Sequence, residues 1–313
     1  MTDRPDRRRF LECMGWAGTG VLWTVSGGLA ASVSLDQALA APRHAARGGV
    51  KPFTFLQISD SHIGFAKPAN PDARVTYREA VAKIRAMADK PDFIIHTGDI
   101  TQLSKDQEFD DADQILGEAG VAAFHIPGEH DMLDEGQGKA FLARYGRGSS
   151  GDGWYSFDHS GVHFVALINV KDLKAGGSGH LGEAQIAWLK NDLAGRSASQ
   201  PIVVFTHIPL WALYPEWGWG TDDAEQAMVL LRRFGSVTVL NGHIHQVQQK
   251  VEGNVTFHTA RSTAFPQPAP GTPGASPGPL KLPADQLRPS LGIRTVNVVN
   301  GRQPLALIDT PLA

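Results

Sequence analysis

The chain has 313 residues, of which 42% are hydrophobic and 19% charged, with a formal net charge of −3. That length suits one large α/β domain or two small ones with a sizeable core, and the composition excludes a fibrous or disordered chain. A mildly acidic balance with no basic stripe excludes a nucleic-acid polymer as the expected partner.

Residues 1–40 read as a targeting segment. Arg7-Arg8-Arg9-Phe10-Leu11 precedes an uncharged, weakly apolar run from Met14 to Ala31, and Ala38-Leu39-Ala40 supplies small residues at a cleavage site. The paired arginines followed by x-Phe-Leu resemble a twin-arginine signal, which implies the twin-arginine export machinery as a partner and a periplasmic or secreted location. The alternative is an uncleaved membrane anchor. Gly15, Gly18, Gly20, Gly27 and Gly28 weaken the run as a spanning helix. Cys13, the only cysteine, falls inside this segment, so the mature chain has none, and any metal site must use His and carboxylates.

The domain is expected over residues 50–313. Phe53 to Ser59 reads as a buried strand, and Thr76 to Asp89 as a helix with Val81, Ile84 and Ala88 on one face. A strand over Phe93–His96, a helix over Asp106–Gly117 and a strand over Val121–Ile126 follow. Trp154–Phe157 and Val162–Ile168 read as an antiparallel pair. Glu183–Leu193 reads as a helix, Ile202–Phe205 as a buried strand, Ala227 to Phe234 as a helical face and Val237–Leu240 as a strand. Gln246–Glu252, Val255–Thr259, Ile293–Val299 and Leu305–Ile308 make the C-terminal part β-rich. The pattern predicts an α/β layered sandwich. Residues 264–290 are rich in Pro and Gly without periodicity, which reads as a loop acting as a lid, a binding loop or a linker.

Five segments join a strand end directly to His or carboxylate. They are Ser59-Asp60-Ser61-His62, Thr97-Gly98-Asp99, Gly128-Glu129-His130-Asp131, Thr206-His207-Ile208-Pro209 and Asn241-Gly242-His243-Ile244-His245. Ligands in open α/β sheets gather beyond the carboxyl ends of the strands, so the five are expected on one rim. Residues two apart in an extended chain point to one side, which lets Asp60 with His62, and His243 with His245, serve one centre. Mixed imidazole and carboxylate suits Mn, Fe, Zn, Ni or Co rather than Ca.

The series D-x-H, G-D, G-E-H-D, H and G-H-x-H, spread over residues 54 to about 260, resembles the calcineurin-like metallophosphoesterase superfamily. The short gap from Asp60 to Asp99, with Asp60-Ser61-His62-Ile63 and Gly242-His243-Ile244-His245, is similar to its cyclic-nucleotide-phosphodiesterase-like branch. The resemblance implies a four-layer α/β/β/α sandwich with a dinuclear metal site at the carboxyl ends of the strands. It implies two transition-metal ions, Fe, Mn or Zn. Asp60, His62 and His245 would hold one, Glu129, His207 and His243 the other, and Asp99 would bridge them. His130 would protonate the leaving group and Asp131 would orient His130. The implied activity is hydrolysis of a small-molecule phosphoester by a metal-bridging hydroxide. A phosphodiesterase leads; a phosphomonoesterase or nucleotidase, and a metal-binding protein without turnover, are the rivals.

Glu129 departs from the family pattern, which has Asn there. Asp60, Asp99, Glu129 and a hydroxide would cancel two divalent ions, where Asn would leave one positive charge. A neutral site penalises a singly charged diester less than a dianionic monoester, or else calls for trivalent iron.

Other residues carry weaker signals. Trp211, Tyr214, Trp217 and Trp219 leave the His207 segment and either stack on a nucleobase or organic alcohol, or cover the core edge. His96, His125 and His163 lie in strands and read as core histidines, and His180 as a solvated loop residue. Arg261, just after the last ligands beside His258, is a candidate contact for a phosphate oxygen.

Overall fold

The computed structural model describes residues 21–26, 29–34, 51–299 and 306–312. Strand β1 (Val21–Ser26) pairs antiparallel with β2 (Leu29–Ser34). The rest of the targeting segment expected over residues 1–40 lies outside the described residues. Among the described residues, no helix is long and apolar enough to cross a membrane.

The domain proper begins with β3 (Phe53–Ile58), α1 (Ala73–Ala86), β4 (Phe93–Thr97), α2 (Asp106–Gly117) and β5 (Ala123–Ile126). A short helix α3 (Lys139–Tyr145) leads to the antiparallel pair β6 (Tyr155–His159) and β7 (Val162–Ala166). Then come α4 (Glu183–Leu193), β8 (Ile202–Phe205), α5 (Ala224–Leu231), β9 (Val237–Asn241), β10 (Gln249–Glu252) and β11 (Val255–Thr259). Helix α6 (Ala284–Ser290) and the strands β12 (Gly292–Val298) and β13 (Ala306–Pro311) close the chain.

Two sheets result. One has the order β13-β12-β3-β4-β5, the other β10-β11-β9-β8-β7-β6. β3, β4 and β5 run parallel, as do β7, β8 and β9, where helices carry the chain back between strands, and β11, which β10 brings back alongside β9. Alternation along each strand sorts side chains into layers. Phe53 and Phe55 of β3 meet Phe164 and Phe205 of the second sheet in a core between the sheets. Leu56 and Ile58 face the other way, onto Tyr77 and Val81 of α1 and Phe109 of α2. Val204 and Val239 face Leu189 of α4 and Leu231 of α5. The sequence of layers is α/β/β/α, as the resemblance implied.

Several boundaries differ from the sequence reading by two or three residues, and two differences have a visible cause. α1 starts at Ala73 because the Asp72 carboxylate accepts the Arg74 N–H (3.0 Å) as an N-cap. It ends at Ala86, where Met87 turns extended. The Pro/Gly-rich stretch is not a loop to residue 290. Its last seven residues form α6, because Leu287 is buried against the first sheet's outer core and Arg288 forks onto Glu79 of α1 (2.7–3.1 Å).

Candidate metal centre

All five His/carboxylate segments lie at the carboxyl ends of parallel strands, three from the first sheet and two from the second, on one rim. Beyond β3 and β4 the backbones stay side by side. Asp60 N donates to Gly98 O (3.0 Å), His62 N to Asp99 O (2.9 Å) and Ile63 N to Ile100 O (2.9 Å). The chain then kinks so that Asp60, His62, Asp99, His243 and His245 all adopt left-handed φ, between 41° and 69°. Such a conformation costs roughly 1–2 kcal/mol for a residue with a side chain, and Asp and His tolerate it better than most. Of the eight non-glycine residues with positive φ among the described ones, these five are proposed ligands, so the strain is concentrated where side chains must aim at a point.

Glycines bring the segments together. A Cβ on Gly128 would stand 2.6 Å from Asp99 Cγ, and one on Gly242 would stand 2.7 Å from Asp60 Oδ2. Each aspartate spends one oxygen on the neighbouring segment. Asp60 Oδ1 accepts His243 N (3.0 Å), and Asp99 Oδ1 accepts His130 N (2.9 Å).

The donor atoms converge in two groups that meet at Asp99. Asp60, His62, Asp99 and His245 form one, and Glu129, His207 and His243 the other. Asp99 Oδ2 stands 3.4 Å from His62 Nε2 and 3.5 Å from His207 Nε2. His245 Nε2 lies 3.3 Å from Asp60 Oδ1 and 3.3 Å from His62 Nε2. Glu129 reaches both His207 Nε2 (2.9 Å) and His243 Nδ1 (3.0 Å). Despite these distances, Asp60 Oδ2, Glu129 Oε2, His207 Nε2 and His243 Nδ1 are buried without a hydrogen bond of acceptable geometry. Unpaired buried polar atoms cost about 1–3 kcal/mol each. Atoms that crowd together yet miss one another's hydrogen-bond directions point at shared third positions, which is how metal ligands are arranged. The residues therefore fit a pair of metal ions.

Backbone carbonyls fix which imidazole nitrogen faces inward. His207 Nδ1 donates to Thr97 O (2.7 Å) and His245 Nδ1 to Phe265 O (2.5 Å), leaving Nε2 of each for the centre. Burial, working against the Asp99 carboxylate, pushes the His62 imidazole down to about 3, so it is neutral at pH 7 as a ligand must be. Burial would raise the Glu129 carboxyl, but His243 and His207 outweigh it and hold the acid well below its ordinary value. At His207 burial opposes protonation and is overcome by Asp99 and Glu129, which hold the ring well above its ordinary value. This field favours a cation at the centre.

His130 sits at the edge of the cluster, its ring 4.8 Å from that of His62. Its Nδ1 donates to Gln102 O (2.8 Å), which leaves Nε2 toward the cleft. Asp131 does not hold that ring. Its carboxylate accepts N–H groups of Ile100 (2.9 Å), Thr101 (2.8 Å) and Gly128 (2.9 Å) and the Thr101 hydroxyl (2.8 Å). The orientation expected from Asp131 comes from Gln102, and Asp131 instead ties the Asp99 and Glu129 segments together. Burial and the Asp99 charge raise the Asp131 carboxyl to about 6 against those hydrogen bonds.

The cluster floors a cleft of about 360 Å³. Trp217 and Trp219 form part of its wall, whereas Trp211 packs on Phe257 (5.2 Å) at the core edge. The Pro-rich segment forms another part through Phe265, Gln267 and residues 277–279. It is tied to the ligands, since Gln267 Nε2 donates to His243 O (2.7 Å). Lys67 is the one Lys or Arg lining the cleft among the described residues. Gln102, Phe265, Gln267 and Lys67 have no residue-type signature that marks them in the sequence.

Other candidates fall away from the site. Arg261 is spent on Pro289 O (2.5 Å). His258 lines a separate cavity with Arg294 and Asp309. His180 pairs with Asp222 (2.7 Å) outside the cleft. His96 and His163 are fully buried, and burial lowers His96 to about 3 and His125 to about 4, the behaviour of neutral core histidines.

Residues 53–247, well over half of the chain, match the model of the calcineurin-like phosphoesterase family. The chain belongs to the calcineurin-like phosphoesterase family. It is accordingly a metallophosphoesterase, a hydrolase of phosphoric esters. Among curated relatives, it is 24% identical over 224 residues to a probable cyclic nucleotide phosphodiesterase of Psychrobacter arcticus, covering 67% of this chain and 80% of that one. It is 26% identical over 227 residues to the serine/threonine-protein phosphatase CPPED1 of Danio rerio, covering 62% and 71%. Among solved structures, a dimetal phosphatase of Danio rerio superposes with a TM-score of 0.59 at 18% identity, covering 83% of this chain and 99% of that one. At that identity the likeness speaks to the fold.

Proposed function

We propose that the chain is an exported phosphodiesterase that works with two transition-metal ions, Fe, Mn or Zn. The observation that carries the two-metal reading is the pair of donor groups meeting at Asp99, with buried donor atoms that satisfy one another in distance but not in direction. Asp60, His62 and His245 would hold one ion and Glu129, His207 and His243 the other, with Asp99 available to both. When bound, such a pair would supply Lewis-acid activation of water and neutralise charge at phosphorus.

The chain's own residues do the rest. His130, anchored through Nδ1, presents Nε2 to the departing alcohol oxygen and delivers a proton to it. Asp131 keeps two ligand segments in register. Gln102 sets the His130 ring.

The preference for diesters rests on Glu129. An Asn in its place would leave the centre one unit more positive, which favours a dianionic monoester. Glu129 therefore favours a singly charged diester, or a trivalent iron that restores the charge. The relative named as a probable cyclic nucleotide phosphodiesterase supports this reading. The relative named as a protein phosphatase supports the rival, a phosphomonoesterase. The test is Glu129→Asn. The diester-to-monoester ratio of kcat/KM is expected to fall at unchanged metal content; an unchanged ratio overturns the diester reading. Export rests on Arg7-Arg8 and Ala38-Leu39-Ala40. Replacing both arginines by lysine is expected to abolish it, and export that continues refutes the twin-arginine route.

A further inference from the structure

The cleft has two chemically unlike sides. The metal-ligand cluster forms its floor, and an apolar wall carries Trp217, Trp219, Leu173, Pro277 and Pro279. The segment from Trp211 to Trp219 contains one charged residue, Glu216, which is exposed and does not line the cleft. None of these five wall side chains carries a charge.

Trp217 is the part of the wall best built to receive a ligand. It is half-buried, whereas Trp219 behind it is 1% exposed. Tyr214 meets the Trp217 ring edge-on at 5.2 Å and 84°, and Trp219 meets it at 5.0 Å and 87°. The ring is thus fixed from two sides before any ligand arrives. The loop that carries it is fixed as well. Leu213 N donates to Trp219 O (2.8 Å), closing the turn. Gly218 holds φ +71° with its backbone pressed on the Gly176–Gly177 turn, where a Cβ would stand 2.8 Å from Gly177 carbon. A rigid aromatic side chain loses little conformational entropy on binding, so a held ring is an efficient contact surface.

We infer that Trp217 is a specificity-determining residue that stacks a flat aromatic group carried by the alcohol next to the reacting phosphorus. The inference rests on the proposed metal-site reading for the phosphorus end of the ligand, and deepens it by naming the group at the other end. A flexible alkyl chain would gain from burial on the same wall, but would gain nothing from the orientation of the ring. Flat and puckered rings of similar size therefore separate the two.

The test uses the metal-loaded full chain and two phosphonates that cannot be hydrolysed, phenylphosphonate and cyclohexylphosphonate, with dissociation constants measured by calorimetry. The wild type is expected to prefer the phenyl compound. Trp217→Ala is expected to reduce that preference by about fivefold or more, the low end of what one aromatic stacking contact contributes. Trp217→Phe is expected to keep most of it, which distinguishes lost stacking from a disturbed loop. Equal binding of the two phosphonates by the wild type overturns the inference and leaves the phosphoesterase reading intact. So does an equal loss of both in Trp217→Ala, which assigns Trp217 to general apolar cover. Binding of neither phosphonate by the wild type overturns the inference together with the metal-site reading.

Discussion

The left-handed backbone at Asp60, His62, Asp99, His243 and His245 separates the needs of the site from the needs of the fold. His243 tests this well, since its side chain is 12% exposed and its φ is 69°. In metal-free protein, His243→Gly is expected to be more stable than His243→Ala by about 1 kcal/mol in urea unfolding, because only glycine enters that region freely. Elsewhere in a chain the order is normally reversed. Ala equal to or better than Gly would mean that position 243 is not strained. At His130 the expectation is kinetic. His130→Ala should lower kcat about 10²–10⁴-fold on an alkyl diester, and far less on a p-nitrophenyl ester, whose leaving group needs no proton, with metal content unchanged. An equal loss on both substrates contradicts a proton-donating role. The convergence of these seven side chains was legible because each closely follows a hydrophobic strand. Gln102 and Phe265 were not, since they act on His130 and His245 through backbone carbonyls, which carry no side-chain signature.

Among the elements, α2 and α4 have the bounds expected from sequence, because each carries apolar residues at helical spacing over three turns. α3 and α6 are seven residues long and bury one residue each, Phe141 and Leu287, too little for a periodic signal. α6 exists through its tertiary contacts, chiefly Arg288 with Glu79. A polar clamp on the second sheet was also hidden. His163 of β7 is fully buried with Nε2 on Asp192 of α4 (2.7 Å) and Nδ1 on Asp158 of β6 (3.0 Å). Burial would raise the Asp192 carboxyl, but hydrogen bonds from His163 and Ser156 outweigh it and hold it below its ordinary value. A depressed acid contributes stability above its unfolded value, about 3.9, and loses it as pH falls through the folded value. Asp192→Asn is therefore expected to cost about 1–3 kcal/mol at pH 7, with the gap to wild type shrinking as pH falls through about 3.9 and below. A gap that stays constant with pH would show that the carboxylate charge is not what holds β7 to α4.

For the whole molecule, the α/β/β/α layering explains why one rim can carry so many donors. Two mixed sheets face each other, and the carboxyl ends of their parallel strands bring three ligand segments from one and two from the other to the same edge. No single sheet supplies both groups. Asp60, whose carboxylate accepts His243 N across the two sheets, couples them. The layering was legible from the alternation of buried strands and amphipathic helices. The role of the Pro-rich segment was not, because its ties to the site run through Gln267, Phe265 and Gln246 rather than through any pattern of its own. The site couples to stability, since metal bound to the folded state alone stabilises it by mass action. Chelation is expected to lower the unfolding temperature of the wild type and to leave that of Asp99→Asn nearly unchanged.

The central claim is that two metal ions act together across Asp99, and the direct test is a titration of metal-free protein with Mn²⁺ while diester hydrolysis is followed. Activity is expected to rise to a plateau at two equivalents per chain and to be lost in Asp99→Asn. A plateau at one equivalent, or turnover independent of added metal, would contradict it.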